Sequence, residues 1–193
     1  LQRTFDSLAR QELKNLRKAR DYGESLSEEM DDLKNHIFFY IKNLDDASPG
    51  ASRFYLLVQD NLEDITQSLG FVSKSSYKHV KNGHRGLRFN QIRGLEKVNK
   101  ELQELMQDVR STFENDDLDK LPQLIAKRDG YLDFIAAEIE KQIERTKEPD
   151  SSSRNSSLYF SILLECKDIV EAIMKLLQQY YREYELAKKP DIL

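Results

Sequence analysis

Apolar residues recur every three or four positions along most of the chain, which is the spacing of one face of a helix. The clearest such face comprises Phe54, Val58, Asn61, Ile65, Leu69 and Val72. Comparable patterns predict five long helices, over about residues 4–44, 51–81, 89–113, 118–147 and 155–186. No segment alternates apolar and polar residues as a half-buried strand does. We therefore expect an all-α fold, an antiparallel helical bundle.

The first predicted helix contains a glycine and several serines, which weaken a helix interior. We expect this helix to bend at Gly23 or to restart at Ser25 or Ser27. Three consecutive aromatic residues near its end, Phe38 to Tyr40, are expected to lie in the core.

The chain contains an internal repeat. Residues 52–65 and 157–170 align without a gap, at an offset of 105 residues. In this alignment Glu165 corresponds to Asp60. A repeat of this length indicates one supersecondary unit used twice, each copy covering apolar surface of the other. We expect a single domain, with repeat 1 over about residues 1–86 and repeat 2 over about 87–193. The pairs Leu57–Ile162 and Ile65–Val170 should then occupy equivalent interior positions.

Composition excludes several classes of protein. With 193 residues and a net charge of −4, the chain suits one domain and lacks the strongly basic balance typical of nucleic-acid binding. Cys166 is the only cysteine, so neither a disulfide framework nor a thiolate metal site is expected. No stretch approaches the roughly 18 consecutive apolar residues of a membrane span, and no signal-peptide pattern begins the sequence.

The two repeats are unequal in length. Two predicted helices precede the repeated helix of the second copy, whereas one long helix precedes that of the first copy. The sequence also begins with Leu1 rather than methionine. We therefore expect the chain to be a segment of a larger protein, beginning partway through repeat 1.

Four segments carry a resemblance to a known family: 53–60, 68–73, 79–84 and 153–165. They resemble the third helix of a PhoU-like domain, with the loop that follows it, and the corresponding part of its second repeat. The closest form is the domain fused C-terminally to sodium/phosphate cotransporters. The resemblance covers essentially the whole chain.

This resemblance implies two PhoU-like three-helix units, the first incomplete at its N-terminus. It implies a non-enzymatic cytosolic regulatory or interaction domain of a sodium-dependent phosphate transporter, on the cytoplasmic side of the inner (plasma) membrane. The expected partner is the transmembrane portion of the same polypeptide, without nucleic acid; a homodimer stays open. The alternative is a free-standing PhoU-type metal-binding regulator of phosphate uptake.

Proteins of this family bind metal through an acid followed four residues later by Asp. Asp60 and Asp64 fit that spacing, and Glu165 keeps the first acid of the second copy, but Ile169 replaces the second. Roughly six acid pairs with this spacing are expected by chance from 34 acidic residues. We therefore expect no cofactor, and carboxylates paired with Lys or Arg. The alternative is a divalent or iron-type metal at Asp60, Asp64 and Glu165.

Six basic residues cluster around the turn between the repeats: Lys74, Lys78, Lys81, Arg85, Arg88 and Arg93. We expect them to face anionic lipid head groups or an acidic partner surface. The alternative is that they are dispersed around the helices and neutralised by nearby acids.

No catalytic group can be assembled from the sequence. No Glu stands three residues before His36, His79 or His84, so the Glu-x-x-His pairs of a di-metal helical bundle are absent. A packed or half-exposed side chain is expected for His36, and no glycine-rich phosphate loop is present. We therefore expect a protein that is not an enzyme.

Overall fold

The structure is a computed structural model that describes residues 1–43 and 49–188. These ranges contain helices only, and no strand. The helices are α1 (Gln2–Ala9), α2 (Leu13–Lys42), α3 (Pro49–Lys81), α4 (Phe89–Glu114), α5 (Leu121–Ala126), α6 (Arg128–Thr146) and α7 (Ser153–Lys188). A single 3-10 turn, Leu118–Lys120, precedes α5. The prediction of an all-α helical bundle is confirmed.

The first predicted helix is broken, but not at the glycine. Helix α1 ends before Gln11, which has a positive φ of 54°, and α2 then continues through Gly23. Gly23 is buried because α3 crosses here: a Cβ at this position would lie 3.3 Å from the Gly70 Cα. The predicted restart at Ser25 or Ser27 is wrong, because α2 is continuous through both residues, and Gly23 allows two helices to approach closely.

Helix α7 forms the centre of the molecule. It packs against α3 along much of its length and also contacts α4, α5 and α6. The ring of Tyr180, near its end, lies 5.2 Å from that of Phe54, near the start of α3. At the other end, the Asn155 side-chain amide donates a hydrogen bond to the Gly86 carbonyl at 2.8 Å. Helices α3 and α7 therefore run antiparallel.

Equivalent residues in the two copies of the repeat are buried to different extents. Ile162 and Val170 on α7 are fully buried, whereas Leu57 and Ile65 on α3 are half-buried. Helix α7 has α3 on one side and α4, α5 and α6 around it, but α3 packs mainly between α2 and α7. The repeated helices therefore share an inward-facing side, and the number of covering helices sets how deeply each is buried.

A buried polar network fixes the register of α4, α6 and α7. The Gln91 amide donates to Gln142 Oε1 at 3.2 Å, and the Tyr159 hydroxyl lies 3.4 Å from Glu138 Oε2. Burial, with Glu138 beside it, raises the pKa of Tyr159 to about 12, so this phenol stays protonated. Gly94 on α4 makes room for it, because any Cβ there would overlap the Tyr159 hydroxyl.

The aromatic residues at the end of α2 are not in the core, contrary to the prediction. Phe38, Phe39 and Tyr40 are 51%, 71% and 48% exposed. Successive residues of a helix point about 100° apart, so three in a row cannot all face one neighbour. Of the helices that follow α2, only α3 packs extensively against it, and the burial therefore forms a narrow stripe.

The difference in depth between the repeats predicts unequal costs of truncation. Ile162→Ala should lower the free energy of unfolding by about 2–5 kcal/mol, because it leaves a cavity at a fully buried site. Leu57→Ala, at the equivalent but half-buried position, should cost less than about 2 kcal/mol. Urea denaturation followed by helical circular dichroism measures both. Equal costs would contradict the unequal burial of the two copies.

Candidate functional site

The predicted metal residues fall on a groove between α3 and α7. Asp64 and Glu165 line this groove, whose volume is about 400 Å³, together with Asp168 and Glu171 of α7. Asp60, one helical turn before Asp64, is exposed and lies outside the lining. The antiparallel packing of α3 and α7 therefore brings together two of the three predicted residues and adds two acids that the sequence did not single out.

The carboxylates in this groove repel one another. Partial burial of the carboxyl raises the pKa of Asp64 above its usual value, and Asp60 adds to the effect while Lys175 opposes it. Burial likewise raises the pKa of Glu165, helped by the nearby charge of Asp168. Within residues 1–43 and 49–188, no three His, Cys, Asp or Glu side chains converge closely enough to hold a metal ion.

The ion pair expected at the edge of this helix involves a neighbouring acid. Lys34 Nζ of α2 lies 3.1 Å from Glu63 Oε2, and the Gln59 amide donates to the same oxygen at 2.8 Å. The hydrogen bond from Lys34 lowers the pKa of Glu63. Over the described part of the chain, neither Asp60 nor Asp64 forms an ion pair. Glu171 pairs with Lys167 at 3.4 Å and Lys175 also lines the groove, so the negative charge of the groove is only partly neutralised.

The predicted basic residues lie at one end of the bundle, where α3 ends and α4 begins. Five of them are exposed and form no ion pair with any described residue: Lys74, Lys78, Lys81, Arg85 and Arg93. Arg88 differs, because its guanidinium pairs with Glu148 and with Asp150 of the α6–α7 turn, each at 2.6 Å. Five of the six residues therefore form an exposed basic surface, and Arg88 adds no free charge to it because two acids neutralise its guanidinium.

A cleft that the sequence did not indicate lies at this same end. It has a volume of about 590 Å³ between the end of α3 and the start of α7, and Lys78 lines it with Arg154 and His84. Residues 78 and 154 are far apart in sequence, so only the packing of the two helices brings them together. The serine-rich start of α7 is a sequence signal that could have indicated this cleft.

The histidines do not form a metal or catalytic site. His79 is buried, and its Nε2 lies 3.0 Å from the Arg85 carbonyl, to which it donates. Burial lowers the pKa of His79, and the nearby charge of Arg154 lowers it further, while the hydrogen bond to the Arg85 carbonyl opposes both effects. This imidazole is therefore neutral at neutral pH and holds the turn after α3. His36 is exposed on α2.

Comparison with known proteins adds no assignment: no family model, no curated protein and no solved structure matches the chain. None of the described helices combines the length and apolar character needed to cross a membrane. The resemblance to PhoU-like domains therefore rests on the four sequence segments alone.

The neighbouring acids Asp64 and Glu63 should respond oppositely to neutralisation. Asp64→Asn should raise the free energy of unfolding at neutral pH by less than about 1 kcal/mol, because it relieves repulsion at a largely exposed carboxyl. Glu63→Gln should lower it by about 0.2–1 kcal/mol, because the pair with Lys34 is lost.

The pH dependence of the two effects follows from the direction of each pKa shift. The cost of ionised Asp64 appears as the pH rises through its raised pKa and is absent below the unfolded value of 3.8. The contribution of Glu63 is complete above its unfolded value of 4.5 and disappears as the pH falls through its lowered pKa. Urea denaturation between about pH 7 and pH 3 tests both. Changes of the same sign for both variants would contradict this account.

Proposed function

We propose that the chain is a non-enzymatic regulatory and interaction domain of a sodium-dependent phosphate transporter, on the cytoplasmic side of the membrane and built from two PhoU-like units. The transporter in this proposal is implied by the sequence resemblance. One structural observation favours an interaction domain: the bundle presents chemically different exposed surfaces at its two ends.

One end is aromatic. The residues concerned form the aromatic tip of the α2–α3 hairpin: Phe38, Phe39, Tyr40, Tyr55 and Leu56. All are more than a third exposed, and the Tyr40 and Tyr55 rings pack edge to face at 5.3 Å. Monomeric proteins seldom expose contiguous apolar surface without a binding role. The tip therefore supports contact with a protein partner, for which we propose the transmembrane portion of the transporter.

The opposite end is basic. Helix α2 runs away from Leu13 and α3 returns to Lys81, so the aromatic tip and the end of α3 lie about 40 Å apart, the length of α3 from Tyr55 to Lys81. The exposed lysines and arginines there suit an acidic partner surface or anionic lipid, with each charge near such a surface worth about 1 kcal/mol. The two ends could therefore hold the rod at separate contacts.

Regulation would then act through differential contact. A domain shifts the equilibrium between two transporter states only by binding one state more tightly than the other. The aromatic tip provides contacts that one state would bury and the other leave open. No catalytic step is needed for such a shift.

The full-length parent protein tests this proposal. Phe39→Ser removes the most exposed ring of the aromatic tip, 71% accessible, and should change sodium-driven phosphate uptake into membrane vesicles by about fivefold or more. Because the side chain is exposed, stability should be unchanged. The matched control is Tyr22→Ser, which removes an equally exposed ring, 71% accessible, outside both proposed contacts, and should leave uptake unchanged.

Uptake by the Phe39→Ser protein equal to that of the wild type would contradict a regulatory contact at the tip. Sedimentation of the isolated domain distinguishes contact with the transporter from a homodimer. A dimer that Phe39→Ser dissociates would show that a second copy of the chain binds the tip. The parent coding sequence provides the simplest check of the transporter assignment. Apolar spans of about 20 residues before residue 1 are expected, and their absence would sink the assignment.

The free-standing metal-binding regulator is the competing function, and the acidic groove is the observation that favours it. Protein purified without chelators would then carry about one metal per chain, lost on changing Asp64 and Glu165 to Asn and Gln. We expect elemental analysis to find no stoichiometric metal, because no three candidate ligands converge within the described chain. A stoichiometric ion removed by those changes would favour the competing function.

A further inference from the structure

We propose that the cleft between the end of α3 and the start of α7 binds a phosphoryl group. This α3–α7 cleft is defined by Lys78, His84, Ser153, Arg154, Ser157 and Ser161. The proposal does not rest on the transporter assignment, because it follows from the side chains that the packing of α3 and α7 brings together.

The charge of the cleft is positive and not neutralised. Lys78 on one wall and Arg154 on the other contribute the cations, and none of the described residues that line the cleft is acidic. Neither cation forms an ion pair with a described residue. Acids are nevertheless present at this end of the bundle, since Glu148 and Asp150 both pair with Arg88. The two cleft cations are therefore left available to an anion from solution.

The donors suit a tetrahedral oxyanion. Arg154 offers a planar fork of N–H groups and Lys78 an ammonium, from opposite walls. Ser153, Ser157 and Ser161 stand four residues apart, so their hydroxyls line one face of α7 along the cleft. Donors that approach from several directions match the oxygens of a phosphoryl group better than a planar carboxylate. The N-terminus of the 36-residue α7 adds partial positive charge at the same place.

The walls of the cleft are fixed before any ligand binds. The Asn155 amide joins the start of α7 to Gly86 at 2.8 Å, and the His79 imidazole joins the end of α3 to the Arg85 carbonyl at 3.0 Å. The His79 and His84 rings lie edge to face, 5.1 Å apart. The backbone of both walls is therefore in place, and binding an anion would order only the exposed side chains of Lys78 and Arg154.

The cleft is large enough for several kinds of phosphate compound. Its volume of about 590 Å³ lies within the range of about 300–1,000 Å³ that is usual for small-molecule sites. Inorganic phosphate, a small phosphate ester and a lipid head group all present the same phosphoryl chemistry. The experiment therefore has one arm for soluble phosphate and one for membrane-bound phosphate.

Calorimetric titration at constant ionic strength tests the soluble arm with inorganic phosphate and glycerol phosphate, and with chloride as the control anion. Co-sedimentation tests the membrane arm, with phosphatidylcholine vesicles that contain or lack phosphatidic acid. We expect saturable binding in at least one arm and none with chloride or with pure phosphatidylcholine.

Matched variants separate the cleft from the basic surface around it. Changing Lys78 and Arg154 to Gln should weaken binding by about tenfold or more, because each supplies a charge-assisted hydrogen bond. Changing Lys74 and Arg93 to Gln removes the same charge from the same end but outside the cleft, and should weaken binding less than about threefold. If the double cleft variant does not fold, Lys78→Gln alone, at an exposed position, gives the same readout.

Loss of phosphate binding in the cleft variant alone supports a site for soluble phosphate. Loss of vesicle binding alone, in the same variant, supports a lipid head-group site. Equal weakening in both double variants would show a diffuse basic surface and overturn the proposal. The absence of saturable binding in both arms would overturn it as well.

Discussion

The antiparallel packing of α7 against α3 is the interaction on which the rest of the structure depends. It joins the helices of the internal repeat to each other, so the first and second halves of the chain share one core. Fully buried residues along α7, including Ile162, Val170 and Leu177, supply much of the apolar area removed from water. The buried face of α3 is more polar, and side chains such as Thr66 and Ser73 satisfy their hydroxyls on carbonyls of their own helix. The pairing therefore tolerates a polar surface without leaving most of its donors unsatisfied.

The same packing creates both surfaces of chemical interest. Midway along the interface, Asp64 of α3 and Glu165 of α7 line a negative groove, and at one end Lys78 and Arg154 line a positive cleft. Each combines side chains from helices that are remote in sequence. The groove has four acids and one lysine, Lys175, in its lining, and this excess of negative charge costs stability; the cleft cations have no described acid beside them, which leaves their donors free. Charge left unpaired at the junction of two rigid helices is more consistent with binding than with support of the fold.

Helix coverage explains where apolar surface stays exposed. Around α7, helices lie on several sides, and the network of Gln91, Gln142 and Tyr159 fixes their register. At the far end of α2 there is one main neighbour, and Phe38 and Phe39 face solvent. The exposed aromatic tip is therefore a consequence of an uneven arrangement of helices, and it provides the surface on which the proposed interaction depends.

The sequence by itself determined the helices. Their type and several of their ends follow from the 3.6-residue period and from local turn residues, which act over a few positions; α4 ends within one residue of its prediction. The first and fourth predicted helices are each divided in the structure, at residues 10–12 and at Lys127. Tertiary structure decided what local patterns do not encode. Gly23 serves close packing because α3 crosses it, and Phe38 to Tyr40 stay exposed because, among the described helices, α3 is the one main neighbour at this end of α2. Lys78 and Arg154 line the same cleft, and Glu148 neutralises Arg88. Both depend on how the helices pack, which the hydrophobic period alone does not specify.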